Sequence, residues 1–382
     1  MRKIIPPILG FTVCAIIIIP AFACLWDFDT LRMETQRFPD ALELITGKFL
    51  RHSPEFYQWR IIDRIKKLET DPQNLAYYDD LAVAYEKTGD HQKAIETILK
   101  KDKIKPDQYE TLANLGTFYI FDNQLEKSVR CIERAIAINP DAHFGREVYQ
   151  KLLVQYALSR RKDGKIPLPL SEHQRGYLSF DNNGFWNFLC GSAEFKHVTG
   201  ADIPDEHKRA VKGVLGMMKF ASFDSPLLLE ALGDLLLSQF ATYDAKQLAA
   251  RAYLKASYEV KDEVARKAYR KMAEEAISLK KKEDESKLTL NELEPEFAAE
   301  LKEAESWYAN VRSDEIQWIN AGLNPEEQFT AKYYTEPRTT VAPDKLITQK
   351  TRGSKLMAVF SVALAFGLSA LFIGLMRRLR AK

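Results

Sequence analysis

Residues 75–108 read LAYYDDLAVAYEKTGDHQKAIETILKKDKIKPDQ, and residues 109–142 read YETLANLGTFYIFDNQLEKSVRCIERAIAINPDA. Laid on each other, the two lines keep one size pattern. Tyr78 falls on Leu112, Leu81 on Leu115, Ala82 on Gly116, Tyr85 on Tyr119, Gly89 on Asn123, Ala94 on Ser128 and Ile98 on Ile132. Pro72, Pro106 and Pro140 mark the same step, since 106 − 72 = 34 and 140 − 106 = 34. A fixed period of this length means stacked supersecondary units. Alternation of bulky and small residues suits two antiparallel helices, the small residue letting the bulky one nest. The proline stops the second helix and opens the next turn. The fold class is therefore all-α, a helical-repeat solenoid, with the rings of Tyr85 and Tyr119 expected buried between paired helices.

The pattern resembles the tetratricopeptide repeat, whose signature is aromatic-x2-Leu-Gly-x2-Tyr, then Ala-x3-Phe, then Pro. The first copy gives Tyr78-x2-Leu81-Ala82-x2-Tyr85, Ala94-x3-Ile98 and Pro106; the second gives Leu112-x2-Leu115-Gly116-x2-Tyr119, Ser128-x3-Ile132 and Pro140. Lys101 departs from it, standing where the second copy has the small Ala135. The resemblance implies a superhelix whose concave face, built from the first helix of each pair, holds a peptide or a partner's helix. On that face it places Asp79, Val83, Glu86, Asn114, Thr117 and Ile120. Family members that clamp C-terminal carboxylates use Asn and Lys there. Only Asn114 fits that picture, while Asp79, Asp80 and Glu86 oppose it, so the ligand class stays open.

Outward from the repeats, residues 24–161 form one array. Residues 25–71 are expected to be helical. Ser53-Pro54-Glu55 is a helix start, with Ser as cap and Pro in the first turn, and Tyr57, Ile61, Ile65 and Leu68 follow at helical spacing. A step of 34 back from Pro106 makes this the second helix of a degenerate terminal repeat. After Pro140, Tyr149, Leu152, Leu153 and Tyr156 continue a stripe to Arg161, the expected closing helix. Residues 162–203 read as a linker and an irregular stretch, with Phe185, Trp186, Phe188 and Leu189 clustered around Cys190. A second helical region spans 204–322, with Val211, Val214, Leu215 and Met218 on one face of its first helix. It is repeat-like at 225–260, where Ala249-x3-Tyr253 restores the second-helix spacing. A charged helix is expected over 262–282, with Lys280 to Lys282 as a solvated run, and a long one over 294–319. Residues 323–354 read as a polar spacer.

The two ends carry the apolar runs. Residues 1–23 open Met-Arg-Lys and end Ala21-Phe22-Ala23, the small-x-small pattern of an export signal. Cleavage, retention as a membrane helix from Ile4 to Leu25, and lipidation at Cys24 all stay open. Residues 355–376 form the candidate transmembrane helix, uncharged from Leu356 to Met376. Those 21 residues span a hydrocarbon core of about 30 Å at about 1.5 Å per residue. The tail 377–382 carries Arg377, Arg378, Arg380 and Lys382, a basic cluster of the kind that stays cytoplasmic.

Across 382 residues, 55 basic and 53 acidic side chains leave a net charge of +2, which gives no basic excess for nucleic acid. The four cysteines form no CxxC pair, so neither a zinc site nor a disulfide scaffold is expected. Phosphate-loop, nucleophile-elbow, HExxH and EF-hand motifs are all absent. The expectation is a membrane-anchored, extracytoplasmic interaction scaffold of a bacterial envelope, non-enzymatic, without cofactor or metal, binding a protein or peptide. The alternative is an envelope enzyme or assembly factor with its active part in 171–225. It would gather His197, His207, Asp202 or Cys190 around one cleft.

Overall fold

A short polar residue followed by proline starts several helices of this chain, and a left-handed residue or a proline ends them. The computed structural model describes residues 38–140, 142–171, 184–238, 245–278 and 288–334, and the regular elements among them are helices. In chain order these are α1 (Ala41–Thr46), α2 (Pro54–Thr70), α3 (Leu75–Lys87), α4 (His91–Ile104), α5 (Tyr109–Phe121), α6 (Leu125–Ile138) and α7 (Arg146–Ser159). There follow α8 (Phe185–Gly191), α9 (Ile203–Phe220), α10 (Pro226–Leu237), α11 (Ala245–Glu259), α12 (Glu263–Ser278), α13 (Leu290–Asn320) and α14 (Pro325–Tyr333), with short 3-10 turns between some of them. The apolar end segments 1–23 and 355–376, Cys24 and the run Lys280–Lys282 lie outside the described residues. Among the described residues, no helix is long and apolar enough to cross a membrane.

The 34-residue step survives as geometry. The turn inside each repeat needs one left-handed residue, and the chain supplies Gly89 (φ 84°) and, one step later, Asn123 (φ 56°). Asp90 N then donates to Tyr85 O at 2.9 Å, and Gln124 N to Tyr119 O at 2.8 Å. Ala82, Ala94 and Ile98 are fully buried together with Leu115 and Phe118. In the second copy a Cβ on Gly116 would stand 2.6 Å from Ile132 Cγ1, so only glycine lets α5 and α6 approach this closely. Ser128 Oγ donates to Gly116 O at 2.7 Å, which satisfies the hydroxyl within the contact. Tyr85 and Tyr119 are half-buried, against the expectation of enclosed rings, and Tyr78 is half-buried as well. The tyrosines at 85 and 119 lie at the rim, with Lys93 Nζ 5.5 Å and Lys127 Nζ 5.4 Å from the respective ring centres.

Neighbouring helices stack in sequence from α2 to α7, then α7 on α9, and onward through α10, α11, α12 and α13. The helix α7 therefore does not close the array, because its Tyr149 and Arg146 meet the glycine face of α9. The expected pair at 225–260 forms as α10 on α11, where Gly233 admits the Tyr253 ring. The linker reading of 162–203 is corrected at two places. Leu170 and Ser171 are buried, and 185–191 is a helix with Phe185, Trp186 and Leu189 buried and Cys190 exposed at its edge. Both are held by two carboxylates of α10. Glu230 accepts from Leu170 N (3.0 Å), Ser171 N (2.6 Å) and Tyr269 Oη (2.7 Å). Asp234 accepts from Ser171 Oγ (2.6 Å), Phe185 N (2.9 Å) and Tyr253 Oη (2.7 Å). Burial, with Asp234 as neighbour, raises the Glu230 carboxyl above its usual range.

The stack returns on itself. The helix α13 packs against α1 and α2, and α1 also meets α9 and α11. Glu315 accepts from Ser53 N at 2.7 Å and lies 2.5 Å from His52 Nδ1, with both side chains buried. Glu326 takes Arg60 Nε at 2.9 Å and also pairs with Arg64, which reaches Asp80 at 2.7 Å. Phe329 is buried 4.2 Å from the His52 ring centre. The spacer reading is thus wrong over 325–333. Asn324 caps a helix through Glu326 N, Pro325 opens it, and Phe329 anchors it on the N-terminal helices. We call α13–α14 on α1–α2 the clasp.

Candidate partner groove

Five of the six expected groove residues are buried, and Ile120 alone is half-buried. Two causes combine. First, the leading helices of successive repeats pack on each other, α3 on α5, so positions counted as concave lie at a helix seam. Val83, at 1% exposure, sits in the cluster with Leu115 and Phe118. Thr117 donates to Ala113 O at 3.2 Å and accepts from Gln150 Nε2 of α7 at 3.1 Å. Glu86 meets His91 Nδ1 at 2.9 Å, and burial raises its carboxyl.

Asp79 explains the departure at Lys101. Lys101 Nζ, on α4, lies 2.8 and 2.6 Å from the two Asp79 oxygens, and Asn114 Nδ2 donates to Asp79 Oδ1 at 3.2 Å. Lys101 and Asp79 are 3% and 4% exposed. Burial pushes the Asp79 carboxyl up to about 7, with the Lys101 charge opposing. This is a lock inside the array and not a surface for a partner.

Second, a later part of the chain comes up against the repeats. Lys87 Nζ donates to Phe220 O and Ala221 O, both at 2.7 Å, satisfying carbonyls at the C-terminal end of α9. Gly213 and Gly216 let α9 close on α7, since a Cβ there would stand 2.6 Å from the Tyr149 ring and 2.8 Å from Arg146 Cδ. Beyond α9, Phe223 stacks edge-on to Phe49 at 5.5 Å, under the Arg51 guanidinium at 4.6 Å. Burial lowers the Arg51 pKa from its ordinary value. The α9–α10 turn is therefore pinned between the repeats on one side and the 47–51 loop on the other.

A cavity of about 210 Å³ lies between α5–α7 and α9–α10. Ile120, Leu153, Val154, Met217 and Leu228 line it, Thr117 and Gln150 lend it polarity, and no lining residue is charged. Phe121 is the exposed apolar residue at its lip. Of the expected groove set, only Thr117 and Ile120 reach this cavity. Met217 and Leu228 belong to it without any signal in the repeat pattern, because they come from another part of the chain.

The residues of the enzyme alternative do not converge. His207 is buried, with Nε2 2.8 Å from Leu235 O and 2.7 Å from Ser238 Oγ, and burial lowers its pKa. His197, Asp202 and Cys190 are exposed. Among the described residues, no group of three or more His, Cys, Asp or Glu side chains is placed to hold a metal ion.

A family model, the tetratricopeptide repeat, matches residues 75–108 and 109–142, the α3–α4 and α5–α6 pairs. No curated protein matches the chain. The match covers these two repeats, and repeats of this kind generally mediate protein–protein interaction.

Proposed function

We propose that this protein is a non-catalytic, membrane-anchored interaction scaffold, with its helical part outside the cytoplasm of a bacterial cell. One observation carries the binding role. The second repeat keeps an uncharged, mostly apolar cavity, with half-buried Ile120 in its lining and exposed Phe121 at its lip. Such a site takes an apolar anchor of a protein partner better than a terminal carboxylate, since no Lys or Arg lines it. The anchoring rests on sequence, on the uncharged run Leu356–Met376 followed by a basic tail.

The test has two arms. Partner capture by the detergent-solubilised full chain is compared with that of an Ile120→Glu/Phe121→Glu variant, with circular dichroism as the folding control. Capture should fall at least tenfold; unchanged capture by the folded variant removes the groove reading. A reporter enzyme active only outside the cytoplasm should work when fused after Pro343 and fail after Lys382. The opposite pattern overturns the orientation.

A further inference from the structure

We propose that the clasp is an autoinhibitory latch on the groove. While α13–α14 hold α1–α2, the α9–α10 turn stays seated against the inner side of the repeats. Release of the clasp lets that turn withdraw and opens its place to a partner's segment. This inference deepens the reading of the inner face as the partner site, and it rests on that reading.

The contacts run in one unbroken path. Glu315 holds His52 and Ser53, and Tyr308 Oη donates to His52 O at 3.1 Å. The Tyr308 ring lies 3.5 Å under the Arg51 guanidinium. Arg51 covers Phe223 and also bonds Gly47 O. A Cβ on Gly47 would stand 2.6 Å from the Phe223 ring, so the loop lies directly on the turn. The turn reaches the repeats through Lys87 on Phe220 O and Ala221 O. Tyr308, Arg51 and Phe223 thus connect α13 to the turn, and the backbone of the turn carries the path on to Ala221.

The long helix of the clasp is sparsely buried along its length. The helix α13 has 31 residues and buries five of them (Leu293, Phe297, Ala304, Val311 and Glu315). The helix α11 has 15 residues and buries ten. Lys48–Glu303 and Arg312–Glu55 add partly exposed ion pairs to the seam. Thin, polar seams are the ones that open and reclose, because little apolar area is lost on opening. An internal occupant also lowers a partner's apparent affinity by the fraction of molecules that are open.

Hydrogen exchange by mass spectrometry on the detergent-solubilised full chain tests this without any partner. The Glu315→Gln/Glu326→Gln variant is compared with the natural chain. Peptides within 308–333 and within 217–229 should both exchange at least tenfold faster, while peptides of α5 and α6 keep their rates. If 308–333 accelerates and 217–229 does not, the clasp does not hold the turn and the proposal fails. If every helix accelerates together, no separable latch exists and the proposal also fails. An Arg312→Ala/Lys48→Ala variant, which removes only exposed charges, should speed the two regions by one common, smaller factor; unequal factors overturn the proposal. Because exchange is read in the free protein, loss of the partner reading through the capture experiment leaves this result separate.

Discussion

The repeat array and the clasp solve the same problem, joining helices, by opposite means. In α3–α6 the joins are apolar, and each residue finds its partner in the same or the next 34-residue unit: Ala82 with Ala94 and Ile98, Gly116 with Ile132. In α13–α14 the joins are mainly polar, with the Phe329 ring beside them, and the partners lie more than 250 residues away: Glu315 with His52, Glu326 with Arg60 and Arg64. Local apolar joins repeat and can be read as a period. A long-range join occurs once, so it leaves no period behind. It also has to order a long loop before its contacts form.

The sharpest way to break this comparison is through Lys101, an ionic join inside the apolar array. Lys101→Met leaves Asp79 buried without its cation and should cost about 3–5 kcal/mol in denaturant unfolding, the cost of halving a buried pair. Adding Asp79→Asn should restore most of that. A double variant no more stable than Lys101→Met would show that the pair is not the join.

A smaller effect follows from pH. The ordinary value for Asp79 is 3.8, and burial holds the folded-state value up at about 7. Between the two, the folded state binds the proton more tightly. Its contribution is therefore complete below the unfolded value and declines as pH rises through about 7. The slope is on the order of 1 kcal/mol per pH unit across that window. The Lys101→Met/Asp79→Asn chain should be shallower by that amount between pH 4 and about 7, measured by unfolding at a series of pH values. Equal slopes in the two chains would remove Asp79 as the titrating group.

The smallest effects rank the rims of the two regions. Tyr119→Ala loses a half-buried ring and its contact with Lys127, and should cost about 1–2 kcal/mol, below the range for an enclosed aromatic. Arg312→Ala removes an exposed pair with Glu55 and should cost about 0.2–1 kcal/mol. Thermal unfolding measures both; the reverse order would contradict the ranking of array over clasp.

The repeat register, the helix start at Ser53 and the pair at 226–259 were legible because each rests on local spacing. The positions of Asp79, Val83 and Thr117 on their helices were legible too, but not what covers them. Coverage depends on which side chains meet them from α4, α5 and α7 (Lys101 and Asn114 on Asp79, Phe118 near Val83, Gln150 on Thr117), and no motif announces those meetings. The spacer reading failed at 325–333 for a related reason. One apolar residue, Phe329, fixes that helix, and a single residue has no periodicity. Lys101 stood out in the sequence as a misfit in the repeat, and the structure gives the misfit its partner.

That partner has a third member, and it makes the two units non-interchangeable. Asn114 occupies in the second copy the place that Asp80 holds in the first, since 114 − 34 = 80. Copying residues 75–108 in tandem would bring a carboxylate to the spot from which the Asn114 amide now donates to Asp79. Two acids would then meet in a dry seam. Arrays of this kind are commonly pictured as lengthening by adding identical parts. Here the joint between the first part and the second has a direction, and the order of the parts is written into one hydrogen bond.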